Sequence, residues 1–307
     1  MSELSLPQVL AHLALTLLAP PALLGVITKV KALFAGRQGP PIWQPYWDLR
    51  RLWSKGAVLS HTTTLLFLAG PVVGLVTALM AAQLVPTVFS RAPLGFAGDL
   101  VFFAALFGLS RFFTVLAALD TGSAFEGMGA AREATFSGLA EPALLMGLLT
   151  ALRLADATSI GVIVGDGDAL PWSATGAPML LVAVSLFIVT LAECSRIPFD
   201  DPNTHLELTM IHEVMVLDHS GPPLAFVLYG AAVKLFVFGA LLTRLVLPFT
   251  ESSTGLNLLI FAAGMLGVAL AVGVVESTLA RLRLLQVPRL LVSACLLSAF
   301  GLLLVAR

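Results

Sequence analysis

Long apolar runs recur along this chain, and their length limits what it can fold into. Residues 7–30, 58–88, 96–119, 131–152, 176–195, 224–247, 255–275 and 289–306 are each apolar over about the 20 residues that a helix needs to cross the hydrocarbon of a bilayer. Inside lipid only helices and closed barrels satisfy their own backbone, and runs of this length select helices. The expected fold is an all-α polytopic membrane protein of about eight transmembrane helices. Composition agrees, because 58% hydrophobic and 11% charged residues lie far from the roughly 25% charged content of soluble domains. No low-complexity linker divides the chain, so residues 1–307 are expected to form a single integral membrane domain. The start, MSELSLPQ, lacks the positive segment of a secretory signal, and the first run reads as a retained helix.

Two runs need an argument. Residues 58–88 would make a helix of about 46 Å against a hydrocarbon core of about 30 Å, so a tilt or a kink at Gly70-Pro71 is expected. The clean run after Pro142 is interrupted by Arg153, and starting that helix near Ala131 supplies the missing length. This places Glu141 and Pro142 near the bilayer midplane. Lys29, Lys31, Arg37, Arg50, Arg51, Lys55, Arg132, Arg196, Arg281, Arg283 and Arg289 gather at one set of helix ends, against Arg91, Arg153, Arg244 and Arg307 at the other. The positive-inside rule then puts the odd-numbered connections in the cytoplasm and both termini outside, in a cell (inner) membrane. No internal repeat supports a transporter built from inverted halves.

One stretch breaks the apolar pattern. Residues 193–223, ECSRIPFDDPNTHLELTMIHEVMVLDHSGPP, hold six of the 18 acidic residues and three of the five histidines, with Arg196 as their sole basic side chain. Charges so close to lipid must be paired, hydrated or functional. Asp201-Pro202 fits a helix start, with Asp as N-cap and Pro at the first position. The following segment, 203–218, is too short to span and has apolar residues on every face, so it is expected to be a helix buried in protein. Glu207 and Glu213 are then interior, where desolvation favours the protonated form and suits a carboxyl to carry protons. His205 and His212 share a face without zinc spacing and read as hydrogen-bonded interior groups or relay members.

Charges inside the spans make the same demand. An ionised carboxylate at a helix centre costs about 2.5–3.5 kcal/mol on insertion scales, so Glu141 needs a proton or a polar partner. Pro142 cannot donate to the carbonyl of Gly138, which leaves an acceptor one turn from Glu141. Lys234 is the natural counter-charge for Glu193, Glu207 or Glu141, and Arg111 also needs a partner. Glu276 with Arg281 and Arg283 reads as a plain helix end. The connection 36–56, GRQGPPIWQPYWDLRRLWSKG, carries Trp43, Trp47, Trp53 and Tyr46 among basic residues. It suits an amphipathic helix at headgroup level, or a rigid turn at Gly36, Gly39, Pro40 and Pro41 set against a partner subunit. Cys194 and Cys295 match no multi-cysteine metal spacing, so no metal or other cofactor is expected in this chain. Nucleic acid is not an expected partner.

The segments GRQGPPIWQPYWDLRRL, GMGAAREATFSGLAEPAL and ECSRIPFDDPNTHLELTMIHEVMVLDHSGP resemble the respiratory-chain NADH dehydrogenase subunit 1 superfamily. The likeness is to its formate hydrogenlyase subunit 4 and hydrogenase-4 component C branch in particular, and it covers nearly the whole chain. The resemblance implies a non-catalytic membrane subunit of an oxidoreductase complex that docks hydrogenase-like large and small subunits on its cytoplasmic face. Antiporter-like membrane subunits would lie beside it, and the NiFe centre and iron–sulfur clusters would belong to partners. The family's acidic path maps onto Glu133, Glu141, Glu193, Asp200, Asp201, Glu207 and Glu213, with Lys234 as counter-charge, and the partner interface onto Arg37, Trp47, Arg50, Arg51, Arg196 and His205. The expected role is coupling of electron transfer to proton or sodium translocation. The alternatives are a complex I type quinone-site subunit and a passive anchor or stand-alone transporter.

Overall fold

Ten α-helices and one turn of 3₁₀ helix make up the regular structure among the described residues, with no strand: α1 (Leu6–Phe34), α2 (Gln44–Trp53), α3 (Leu65–Ala82), α4 (Asp99–Asp120), α5 (Ala124–Leu154), α6 (Ile160–Gly165), α7 (Trp172–Glu193), α8 (Gly221–Val246), α9 (Thr254–Thr278) and α10 (Val287–Val305). The computed structural model describes residues 4–165, 172–200, 210–247 and 253–306. All of these helices except α2 and α6 are long and apolar enough to cross a bilayer, which makes eight spans in a polytopic membrane protein.

The observed spans follow the apolar runs, with two differences at their ends. The run 58–88 yields only α3, Leu65–Ala82. Before it, side-chain hydrogen bonds compete with helix: Thr63 Oγ1 donates to the Ser60 carbonyl at 2.8 Å, and Thr64 caps α3 by accepting from the Leu66 amide at 3.3 Å. Asp120 at the end of α4 fixes that cap, accepting from the Thr64 amide at 2.6 Å and its hydroxyl at 2.9 Å. Gly70 serves close packing against α4, since a Cβ there would stand 2.8 Å from Cβ of Ala117. The second difference is α5, which starts two turns before Ala131 and runs for 31 residues. Its extra turns, Ala124 to Ala130, leave Glu126, Gly129 and Ala130 buried.

Helix α8 lies at the centre of the bundle, buried along most of its length and packed against α1, α3, α7 and α9. Phe103 and Phe107 of α4 meet Phe238 of α8, with ring centroids 6.1 and 5.1 Å apart. Helices α5, α7 and α10 form a trio joined by hydroxyls. Ser298 donates to Ser185 at 2.7 Å, and Ser185 donates to the Ala294 carbonyl at 2.8 Å. Such bonds matter in lipid, where apolar burial gives helices no preference for one another.

Helix α7 stops short, and this shapes the site. Its last residue, Glu193, meets Arg111 and Lys234. Arg111 lies about 14 Å from the α2-side end of α4, and Lys234 about 20 Å from that end of α8, at 1.5 Å per residue. The recess beyond α7 is filled by residues 194–200 and 210–220, among which Ile197, Phe199, Met210, Ile211 and Val214 are buried. Of the loop helix expected over 203–218, residues 203–209 lie outside the described ones. The rest holds a single turn of 3₁₀ helix, Glu213–Val216, with Val214, Met215 and Val216 buried. Leu217, expected inside, is 49% exposed.

One face of α5 holds this loop in place. Glu126, Gly129 and Arg132 fall at i, i+3 and i+6. Glu126 accepts from the Asp218 amide at 3.1 Å, and Arg132 donates to the Met210 carbonyl at 2.7 Å. A Cβ at Gly129 would overlap Cγ1 of Val214 and stand 2.9 Å from the Ile211 carbonyl oxygen. On the far side of the bundle His12 fastens α1 to the end of α3 and the chain after it, its ring nitrogens 3.0 Å from Thr87 Oγ1 and 3.1 Å from the Ala82 carbonyl.

Candidate functional site

Four helices each bring charge to one point. Arg111 of α4 uses three guanidinium nitrogens: Nε donates to Glu133 Oε1 at 3.2 Å, one terminal nitrogen to Glu141 of α5, and the other to Glu193 Oε1 of α7 at 2.5 Å. The second oxygen of Glu193 accepts from Lys234 Nζ of α8 at 2.7 Å, and that ammonium lies 5.3 Å from the centre of the Phe107 ring. Glu133, Glu141, Arg111, Glu193 and Lys234 thus form one continuous ion-paired network. Its hub is enclosed, with the Glu193 side chain 2% exposed. A buried carboxylate held by two cations is stable where either pair alone would be costly to desolvate.

Two further ion-paired groups flank the network on the α2 side. Glu276 of α9, whose side chain is fully buried, pairs with Lys31 of α1 at 2.8 Å and Arg196 at 3.3 Å. This corrects its reading as a plain helix end, because its cations come from other parts of the chain and not from Arg281 or Arg283. Arg281 instead pairs with Asp200 at 2.8 Å. The other oxygen of Asp200 accepts from the amides of Ile211 at 3.0 Å and His212 at 2.8 Å, so this carboxylate closes the loop as well as carrying charge.

A cavity of about 500 Å³ lies between the network and the Glu276 group. Leu24 and Ile27 of α1, Gly74 and Ala78 of α3, and Leu228 and Ala231 of α8 give it an apolar wall; Arg111, Glu133, Glu193, Lys234, Arg196, Glu276 and Glu213 give it a charged one, with His212 beside them. His219 also lines it, stacked on Phe67 with ring centroids 4.0 Å apart. Burial pushes the His219 imidazole down to about 4, so the ring is neutral at physiological pH. Burial likewise pushes the Cys194 thiol up to about 12. Among the described residues no group of three or more His, Cys, Asp or Glu side chains is placed to hold a metal.

The residues singled out from the sequence fall in different places. Glu133, Glu141, Glu193 and Lys234 come together in the network, while Asp200 and Glu213 lie in the loop beneath it. Arg37, Trp47, Arg50 and Arg51 are exposed on and beside α2. Arg196 is instead mostly buried, engaged with Glu276 at the cavity wall. Asp201, His205 and Glu207 lie outside the described residues. Trp43 packs on Tyr46 with ring centroids 5.6 Å apart, where a four-residue spacing would have set it against Trp47. The turn before α2 is built on glycine as expected: Gly39 has φ of +63° and its Cα faces Ala32, whose Cβ a side chain would overlap. Sequence reasoning passed over Lys31, Glu276 and His219 as site residues. Arg111 did carry a signal, as a cation in mid-span.

Residues 7–307 match the sequence family described as NADH dehydrogenase. Hydrogenase-4 component C of Escherichia coli (strain K12) is 32% identical over 284 residues, which are 91% of this chain and 89% of that protein. Formate hydrogenlyase subunit 4 of the same organism is 32% identical over 290 residues, 90% of this chain and 91% of that protein. Among solved structures, a chain of the membrane-bound sulfane sulfur reductase (MBS), an archaeal respiratory membrane complex, shares the fold with a TM-score of 0.85 at 21% identity, covering 96% of this chain and 97% of that one. With eight spans, a charge network at their centre and a family match along almost its whole length, this chain belongs to the NADH dehydrogenase subunit 1 family.

Proposed function

We propose that this chain is the membrane subunit of a hydrogenase-4 or formate hydrogenlyase type complex, where it couples electron transfer in a soluble module to translocation of protons or sodium ions. The observation that carries this reading is the continuous network Glu133/Glu141–Arg111–Glu193–Lys234, which reaches from a loop-filled recess on the α2 side to the middle of the bundle. Carboxylates that share cations across helices can exchange partners when one of them gains or loses a proton, and so link a change at the recess to one at mid-depth. On this reading α2, with exposed Trp47, Arg50 and Arg51, faces hydrogenase-like large and small subunits in the cytoplasm. Glu207 and Asp201 would continue the path toward them, and antiporter-like subunits would extend the complex sideways in the cell (inner) membrane. The NiFe centre and iron–sulfur clusters belong to the partners.

The test is replacement of Glu141 or Glu193 by Gln, which keeps shape and hydrogen bonding but removes titration. In sealed vesicles holding the assembled complex, proton movement per electron should fall at least tenfold while the complex still purifies intact. Unchanged coupling in both variants would favour a passive anchor. A second reading, the quinone-site subunit, is favoured by the cavity, whose apolar wall runs between α1, α3 and α8 beside the charged groups. Hydrogen-linked or ferredoxin-linked turnover insensitive to quinone-site inhibitors is expected; quinone-dependent turnover of the intact complex would promote the second reading.

A further inference from the structure

Glu141 stands apart within the network because its side chain is 44% exposed, against 2% for Glu193 and 9% for Arg111. Its depth makes that exposure consequential. At 1.5 Å per residue, about 18 Å of α5 separate it from Arg153 at one end and about 26 Å from Ala124 at the other, so it lies deep within a hydrocarbon layer of about 30 Å. Lipid tails offer such a carboxylate neither water nor a donor. Arg111 approaches it from one side only and is shared with Glu133 and Glu193, while Lys234 is the remaining cation. The set has three carboxyl groups for two cations.

On the α5 side the surface beside Glu141 is made of short side chains. The exposed positions along this part of α5 are Ala134, Thr135, Gly138 and Pro142, and a Cβ at Gly138 would meet nothing within 4 Å. On α4, Gly108 leaves room for Glu141, whose Oε1 would be 3.7 Å from a Cβ there. Leu109 and Phe112 of α4 rise at the margin, 44% and 58% exposed. Short side chains on α5 beside the larger Leu109 and Phe112 of α4 imply a shallow groove between the two helices, with the half-exposed Glu141 carboxylate along it. By contrast, α9 exposes Leu256, Leu258, Leu259, Leu266 and Leu270, the long aliphatic side chains that suit acyl chains. Small residues let transmembrane helices approach closely, and polar groups at such contacts are satisfied from the opposite helix.

We infer that the groove between α4 and α5 is the docking face for a transmembrane helix of a different membrane subunit, which lies against Gly138 and presents a hydrogen-bond donor or a cationic side chain to the open side of Glu141. The occupant follows from charge complementarity: an open carboxylate in a set short of one cation calls for a donor that neither lipid nor a second copy of this acidic groove supplies. The inference rests on the chain being one membrane subunit among several, as proposed above, and is independent of the electron donor and acceptor.

Photo-crosslinking in native membranes tests it, with benzoylphenylalanine placed at Leu109 or Thr135 on this face and at Leu259 or Leu270 on α9. Leu109 and Thr135 should yield adducts to another integral membrane subunit of the purified complex, mapping to a transmembrane peptide with a basic or hydrogen-bond-donating residue, while the α9 positions yield lipid adducts. Gly138→Leu, which fills the groove, should reduce recovery of that subunit at least tenfold with the soluble module still bound. Lipid adducts, self-crosslinks or soluble-module adducts from Leu109 and Thr135 would overturn the inference. So would full recovery of the membrane partner with Gly138→Leu, and the crosslinks decide the matter even if that variant fails to fold. Loss of docking evidence with vesicle coupling intact in the wild type would leave the coupling reading standing.

Discussion

Glu193 and Lys234 are in contact, yet the two side chains are not equivalent. Removing Glu193 would strip the Lys234 ammonium of its carboxylate partner and leave Arg111 with Glu133 and Glu141 alone. Removing Lys234 would still leave Glu193 paired with Arg111. Breaking a buried pair from one side costs about 3–5 kcal/mol. Glu193→Ala should therefore sharply lower the temperature at which the purified complex dissociates, and Lys234→Met should lower it less; equal losses would mean that the lysine matters as much as the hub. His219 supplies the pH dependence. Its folded value of about 4 lies below the ordinary 6.5, so as pH falls from 6.5 to 4 the unfolded state takes up a proton that the folded state does not, and stability is lost across that window. His219→Phe keeps the stack on Phe67 and should remove this component, which thermal unfolding from pH 4 to 7.5 would reveal as a flatter profile. An unchanged profile would mean that the ring is not held neutral.

At the scale of elements, α5 does the work of two helices. Its outer portion crosses the bilayer, and its first turns form a post against which the 210–218 segment is set by Glu126, Gly129 and Arg132. Gly129→Val would push a branched side chain into Val214 and the Ile211 carbonyl, an overpacking that costs about 1–3 kcal/mol. Most of α5 should remain, because its spanning part packs independently on α7 and α10. The expected readout is faster proteolysis within 194–220, with the spans still protected; equal cleavage rates would show that the loop is held elsewhere. The apolar run 58–88 showed length without its ends, since hydropathy does not register a threonine that caps a helix or an aspartate on another helix that holds the cap.

For the whole molecule, the eight spans and the bias of basic residues lead us to expect both termini on the outer side and α2 in the cytoplasm. Single cysteines at Ser2 and Ser54, in a chain with Cys194 and Cys295 replaced, should label from opposite faces of sealed vesicles with an impermeant maleimide; labelling from the same face would overturn this topology. The eight spans were legible in the sequence because apolar length is a local property, and so was the need of Glu141, Arg111 and Lys234 for partners, because a charge in mid-span cannot stand alone. Which partners they have was decided by tertiary structure. The contacts of Arg111 are 22, 30 and 82 positions away, and helical periodicity shows which side of a helix a residue is on without showing what it faces. Glu276 illustrates the limit most clearly: near the end of its own helix it looks like an interfacial charge, and it is buried only because α1 and the chain after α7 bring Lys31 and Arg196 over it. The early stop of α7 has the same origin, since the recess that its loop fills exists only once α4, α5 and α8 stand longer around it.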